Sequence, residues 1–146
     1  MSRIELDGVE MTDFLETQRT GVLCLGREND GYGVPLSFNY REDDSSIYFR
    51  MGYAPGSQKR RFLEAAENVT FVVYDQTDEG WISVVAEGTL ESVSEGDVES
   101  VVEEATRHLD IPYYEVHERP VDDLEFEVLR LRVSKLNGVR EGHEGQ

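Results

Sequence analysis

Short apolar segments separated by polar turns dominate this chain, and the pattern predicts a mainly β fold. Near the C-terminus, Leu129, Leu131 and Val133 alternate with Arg130 and Arg132, as expected of a strand that buries one face. Because the apolar segments are short and the turns between them polar, neighbouring strands are expected to be antiparallel. The predicted strands span residues 21–26, 32–40, 46–52, 69–75, 80–93 and 126–134.

Amphipathic segments predict peripheral helices at residues 9–18, 58–67 and 94–109. Six mostly antiparallel strands with two or three helices are typical of a small β-barrel, which removes sheet edges by closing. We expect one domain over residues 1–140, followed by a tail without fixed structure at residues 141–146.

Two residues within predicted strands indicate local irregularities. Pro35 cannot donate a ladder hydrogen bond, so it marks an edge, a bulge or an opening in the sheet. Gly88 interrupts the longest predicted strand and indicates a bulge or a close backbone approach.

The charge balance limits the partners and suggests a habitat. The 146 residues include 31 Asp and Glu against 14 Lys and Arg, a net charge of −17. Neutralising phosphates requires a basic face, so nucleic acids and anionic membranes are not expected partners. Only two residues are lysines, Lys59 and Lys135. An acidic, lysine-poor surface is what a cytoplasm of very high salt favours, because salt screens its self-repulsion. We therefore expect a halophilic protein.

Other sequence features favour a cytoplasmic location and give no evidence of a metal site. The N-terminus lacks the basic and apolar regions of a signal peptide, and no apolar segment is long enough to span a bilayer. A lone cysteine, Cys24, cannot form an internal disulfide and is expected in the core. The three histidines, at positions 108, 117 and 143, show no metal-ligand spacing.

The densest positive charge follows the third predicted strand. Lys59, Arg60 and Arg61 are consecutive, and Ser57 stands where the following helix would begin. Backbone N–H groups at a helix start, the helix dipole and an ammonium together suit a phosphate. The alternative is that these cations pair with acidic residues on the next helical turns. Local sequence leaves both interpretations open.

The order of these motifs resembles the FMN-binding split-barrel family related to pyridoxamine 5′-phosphate oxidase, especially its short single-domain branch. The motifs are Gly-Val-Pro-Leu-Ser-Phe, Tyr-Phe-Arg-Met, Gly-Ser-Gln-Lys, Val-Thr-Phe-Val-Val-Tyr-Asp and Trp-Ile-Ser-Val-Val-Ala-Glu-Gly, within residues 20–138. The resemblance implies a six-stranded antiparallel split β-barrel with peripheral helices. It further implies a homodimer that holds FMN at the subunit interface.

The same resemblance suggests which residues contact the cofactor. Ser57 and Lys59 match a Ser-x-Lys pair used on the FMN phosphate, whereas Gln58 replaces the arginine of many members. Arg50, Arg60 or Arg61 could supply that missing charge. Positions matching the ring, the ribityl chain or the strand beside them are Pro35, Leu36, Ser37, Arg50, Met51, Trp81 and Ser83.

The resemblance leaves the reaction open. Pyridoxamine 5′-phosphate oxidases proper have a C-terminal Trp and Arg motif, which this chain lacks, so it is not expected to oxidise vitamin B6. Arg130 and Arg132 do not replace that motif, because their alternation fits a solvated strand face. We expect a flavin-dependent oxidoreductase with a small-molecule electron donor or acceptor, and no catalytic residue is assigned. The alternatives are a non-enzymatic protein that stores FMN or senses redox state, the deazaflavin F420 on the same fold and, last, haem.

Overall fold

Seven β-strands, one α-helix and a short 3-10 helix at Glu42–Asp44 make up the part of the chain described by a computed structural model, residues 3–53, 68–93 and 125–142. Within these ranges, only the backbone is described at residues 27, 50–53 and 125–127. In chain order the elements are β1 (Arg3–Glu5), α1 (Gly8–Thr17), β2 (Thr20–Arg27), β3 (Asp30–Arg41), β4 (Ser46–Tyr53), β5 (Asn68–Thr77), β6 (Gly80–Val93) and β7 (Glu125–Glu141).

Six of the strands close into a ring. The sheet order is β1-β7-β4-β3-β2-β5-β6, and β6 pairs in turn with β7. Every pairing is antiparallel. Strands β2 to β7 therefore form the closed six-stranded barrel that the sequence predicted, and β1 is added beside the end of β7.

The six predicted strands are confirmed, with different lengths. The last strand was expected to end at residue 134, but β7 continues to Glu141, into the predicted tail. Its C-terminal half pairs with the first half of β6, so Ile82 faces Arg140. Strand β1 was not predicted. The first predicted helix is confirmed as α1, whereas the helices predicted at 58–67 and 94–109 lie outside the described residues.

Gly88 lies at an irregularity in the barrel, as predicted. The register between β6 and β7 shifts between Glu87 and Gly88. A Cβ atom added to Gly88 would fall on the backbone carbonyl of Arg132. The bulge therefore requires a residue without a side chain, and it lets the 14-residue β6 follow the curve of the ring.

Aromatic rings fill the centre of the barrel. The Phe71 ring contacts those of Phe38 and Phe49, with centroid distances of 5.1 and 4.8 Å. Gly21 makes room for Phe71, since a Cβ at this position would lie 2.5 Å from its ring. Cys24 was expected in this core, but it alternates with buried Leu23 and Leu25 and is only half-buried on the outer face.

Helix α1 covers one end of the barrel. Asp7 caps it by accepting a hydrogen bond from the Glu10 N–H, and the Glu10 side chain accepts one from the Asp7 N–H. Phe14 and Leu15 are buried as part of the barrel core. In the described residues, no helix has the length and apolar character needed to cross a membrane.

Candidate functional site

Strands β3 and β4 separate after a short paired region. They pair from Arg41–Ser46 to Phe38–Phe49. Beyond this point β4 stays paired with β7 as far as Tyr53–Glu125, while β3 stays paired with β2 back to Asp30. We call the resulting gap, between residues 33–37 of β3 and 50–53 of β4, the β3–β4 wedge.

The hydrogen bonds of β3 show which backbone groups face the wedge. Phe38 donates its N–H to the Arg19 carbonyl, at 3.0 Å, on the β2 side. Polar backbone groups of successive strand residues point to opposite sides. The polar groups of Leu36 therefore also face β2, whereas those of Ser37 and Pro35 face the wedge.

The same alternation applies to β4. Val133 of β7 donates to the Ser45 carbonyl at 3.0 Å, which sets Ile47, Phe49 and Met51 facing β7. The backbone groups of Arg50 and Gly52 consequently face β3. The wedge thus has polar backbone edges on both sides, and no described strand pairs with either edge there.

The predicted ring-contacting residues of β3 divide into two groups. Pro35 is exposed at the wedge, and Ser37 presents both its N–H and its carbonyl there. Leu36 points the other way, because its side chain is buried in the barrel core. Leu36 can therefore serve a ligand only by fixing the strand beside it.

The hydroxyl of Ser37 is buried without a described partner. Ser37 alternates with inward-facing Leu36 and Phe38 and so lies on the outer face, yet it is only 4% exposed. Its Oγ makes no hydrogen bond to another residue of the described part of the chain. A hydroxyl can both donate and accept a hydrogen bond, so Ser37 adds a polar side-chain group to the backbone groups that it presents at the wedge.

Trp81 and Ser83 are remote from the wedge within one chain. Both lie on the outer face of β6, and β5 and β2 stand between β6 and β3. At the usual spacing between strands, three steps across the sheet amount to about 14 Å. In the other direction only β7 stands between β6 and β4, but Trp81 and Ser83 pair near the C-terminal end of β7, whereas the β4 side of the wedge pairs with residues 125–128 at its start. Trp81 is 46% exposed and packs against Tyr74, with ring centroids 6.2 Å apart. The fold therefore does not bring these two predicted contacts to the β3 edge of the same subunit.

The residues predicted to bind the phosphate lie outside the described part of the chain; they are Ser57, Lys59, Arg60 and Arg61. Arg50 and Met51 lie on β4, where only their backbone is described: Arg50 opposes Val128 and Met51 opposes Glu127 of β7.

A hydrogen-bonded charge network, not anticipated as a unit from the sequence, lies on the outer face next to the paired region of β3 and β4. Glu91 of β6 accepts hydrogen bonds from both Arg130 and Arg132 of β7. Arg132 is the main cause of the lowered pKa of Glu91, with a further contribution from Arg130. Both arginines thus share one carboxylate, which balances one of their two positive charges; Arg132 is exposed, as expected of a solvated strand face, whereas Arg130 is partly buried.

Tyr48 extends this network across β4. Its hydroxyl donates to Asp44 at 2.7 Å, and the side chain is only 4% exposed. Burial raises the pKa of Tyr48, and the Asp44 carboxylate raises it further. The register places Tyr48 directly opposite Arg130, whose positive charge partly offsets this rise in the pKa of Tyr48. Finding this pairing would have required the register between strands 46–53 and 125–141, which no pattern in the sequence indicates.

Within the described ranges, His, Cys, Asp and Glu side chains form no group of three or more that could hold a metal ion.

Comparison with known proteins places the chain in a family. The model of the pyridoxamine 5′-phosphate oxidase family matches residues 7–140. The chain belongs to this family. No curated protein matches it significantly.

Solved structures share the fold at low sequence identity. A FAD-binding protein from Mesorhizobium loti has a TM-score of 0.72 at 19% identity, covering 97% of this chain and 100% of that one. A candidate pyridoxamine 5′-phosphate oxidase from Corynebacterium glutamicum has a TM-score of 0.73 at 18% identity, with 100% and 98% covered. The FAD-binding protein from Mycobacterium smegmatis has a TM-score of 0.67 at 21% identity, with 96% and 99% covered. These likenesses confirm the split-barrel fold.

Proposed function

We propose that this pyridoxamine 5′-phosphate oxidase family member binds FMN with the isoalloxazine ring at the β3–β4 wedge and acts as a flavin-dependent oxidoreductase. The observation that carries this proposal is the separation of β3 and β4, which leaves the backbone groups of Ser37 and Arg50 unpaired by any described strand. A flavin ring has a polar edge of alternating carbonyl oxygens and nitrogens and needs such backbone partners. Family membership and the FAD-binding neighbours support a flavin over an unrelated ligand.

The described residues at the wedge fit a flavin ring. Ser37 offers a backbone donor, a backbone acceptor and a buried hydroxyl, and Pro35 offers a carbonyl beside an exposed apolar ring. When bound, a flavin supplies hydride or electron transfer at its N5 atom. The role proposed for this chain's residues is to bind and orient the ring, with Ser57, Lys59 and Arg60 holding the phosphate. No acid–base residue is assigned.

We further propose a homodimer with the cofactor at its interface. One supporting observation is the distance of Trp81 and Ser83 from β3, since a second subunit could bring its own copies of these residues to a flavin at the wedge. A second is an uncharged row across the outer face of four strands. Pro35 faces Val22, Val22 faces Val72, and Val72 faces Val85. Interface centres are depleted of charge in this way.

An FMN titration of the purified protein tests the proposal. FMN fluorescence should change saturably with a stoichiometry of one FMN per chain, and light scattering should give the mass of a dimer. Oxidation of NADH or NADPH by the FMN-bound protein would support an oxidoreductase. Tight binding without turnover with any electron donor would favour storage or redox sensing instead, and a native ligand with the mass of FAD or of the deazaflavin F420 would replace FMN as the cofactor.

A further inference from the structure

We infer that Pro35 and Gly52 keep the β3–β4 wedge open by weakening any further pairing of the two strands beyond Phe38 and Phe49. Only the identity of the ligand that uses the wedge rests on the function proposed above. The inference itself concerns the backbone of this chain.

The two residues occupy opposite positions in the unmade part of the ladder. The paired residues run from Arg41–Ser46 to Phe38–Phe49. Continued by three residues on each strand, the same register would bring Pro35 opposite Gly52. Because the Phe38–Arg19 and Val133–Ser45 hydrogen bonds fix the alternation on each strand, both residues would direct their polar backbone groups at each other.

Such a pair cannot make a normal hydrogen-bonded step. Antiparallel residues in this position exchange two N–H to carbonyl bonds, and Pro35 has no N–H, so one of the two is lost. Gly52 has no side chain to pack against a cross-strand neighbour. Extending the ladder would therefore gain two bonds at Ser37–Arg50 but only one at Pro35–Gly52, so the extension would be short and its second step incomplete.

The missing donor does not weaken the rest of the barrel. Pro35 faces Val22 on β2 at a position where the polar backbone groups point away from β2, so that pairing loses nothing. Gly52 remains held by β7, opposite Phe126. The lost hydrogen bond therefore affects only the side of each strand that faces the wedge. The edge of β3 on that side stays available to a ligand.

Backbone hydrogen exchange in the ligand-free Pro35→Ala protein tests this inference. The substitution restores an N–H facing the wedge. We expect β3 and β4 to pair further, so that the new amide at position 35 and the amide of Gly52 exchange at least about tenfold more slowly than unprotected amides. Gly33→Ala is the control, because it also places an alanine on the edge of β3 that faces the wedge, with its Cβ 3.5 Å from Val22 Cγ1, but changes no backbone donor. That variant should leave the Gly52 amide as in the wild type.

Exchange of the new amide at the unprotected rate would overturn the inference, whatever happens to FMN binding. Slow exchange together with at least fivefold weaker FMN binding would support both the inference and the flavin site. Slow exchange with unchanged FMN affinity would support the inference but would show that FMN does not bind at the wedge. If Pro35→Ala does not fold, Pro35→Thr restores the same N–H with a residue that favours strands, and the amide at position 35 of that variant is measured in its place.

Discussion

Phe38 and Phe49 face each other at the last paired position of β3 and β4, and both rings pack on Phe71 in the barrel core. The wedge therefore begins directly beside a buried aromatic cluster of the barrel core. A site built on strands held by such a core is rigid, which favours exact orientation of a planar ligand. Strands β3 and β4 thus separate next to the position where Phe38 and Phe49 hold both of them against the core.

Lys59→Ala tests the proposed phosphate site. If Lys59 contacts the FMN phosphate, its loss removes a charge-assisted hydrogen bond worth about 1.5–3 kcal/mol. FMN affinity should fall about 10-fold to 150-fold by titration in matched salt, whereas riboflavin, which has no phosphate, should bind as before.

Lys135→Ala is the control for Lys59→Ala. Lys135 is the other lysine of the chain and is exposed on β7. This variant should keep wild-type FMN affinity. If Lys59→Ala and Lys135→Ala bind FMN equally well, the phosphate assignment is wrong, and surface ion pairing is the better interpretation of residues 59–61.

The ionised Glu91 side chain should add to the free energy of unfolding at neutral pH, and this contribution should be lost in acid. Hydrogen bonds from Arg132 and Arg130 lower the pKa of Glu91 in the folded state below its ordinary value of 4.5. A lowered carboxyl pKa stabilises the fold above the unfolded pKa, and this contribution is lost as the pH falls through the folded pKa. Because Glu91 is partly exposed, the term should stay below about 1 kcal/mol.

Urea unfolding at several pH values measures this term. Wild type should be more stable than Glu91→Gln at pH 7, and the difference should shrink as the pH falls below about 4.5. Glu28→Gln, at the exposed tip of the β2–β3 hairpin, is the control and should match wild type at neutral pH. A wild-type advantage that is the same at pH 7 and pH 3 would contradict the assigned cause.

Gly88→Ala should destabilise the barrel. The added methyl group would collide with the Arg132 carbonyl at the bulge, and backbone must move to relieve it. We expect a loss of about 1–3 kcal/mol in the free energy of unfolding, the usual range for overpacking. Gly31→Ala, where an added Cβ meets nothing within 4 Å, should change stability by less than about 0.5 kcal/mol. Similar losses in both variants would point to backbone entropy rather than the collision.

Salt should stabilise the protein if its acidic surface is an adaptation to high salt. The acidic side chains that give the net charge of −17 repel one another in the folded protein. Raising KCl from 0.1 M to 1 M shortens the screening length from about 10 Å to about 3 Å and so weakens this repulsion. The melting temperature should rise by at least about 4 °C, equivalent to roughly 1 kcal/mol in a domain of this size. Sucrose at matched osmolality should not reproduce the full rise. A flat or falling melting temperature would contradict the halophilic interpretation.

Particular residues show why most of the fold could be predicted. Alternation around Leu129, Leu131 and Val133 defined β7, because burying one face of a strand leaves a period of two in the sequence. Pro35 and Gly88 predicted irregularities because proline lacks an N–H and glycine lacks a side chain. In the structure Pro35 lies beside the wedge and Gly88 lies at the bulge.

Features set by pairing partners were not predictable in this way. Strand β1 is three exposed residues long and exists through its pairing with β7, so Ile4 carries no periodic signal. The extension of β7 through Asn137 and Gly138 has weak strand character and follows from the length of β6. The site was predictable only as separate motifs, because the two strands between Trp81 and Pro35 become apparent only from the sheet order.

Flavin binding is tested most simply by an absorbance spectrum of the protein purified in high salt, before and after heat release of any ligand and after addition of FMN. We expect a yellow protein, or a colourless one that takes up one FMN per chain, with FMN the mass identified in the released fraction. A colourless protein that also fails to take up FMN, FAD or riboflavin would contradict the proposed flavin site.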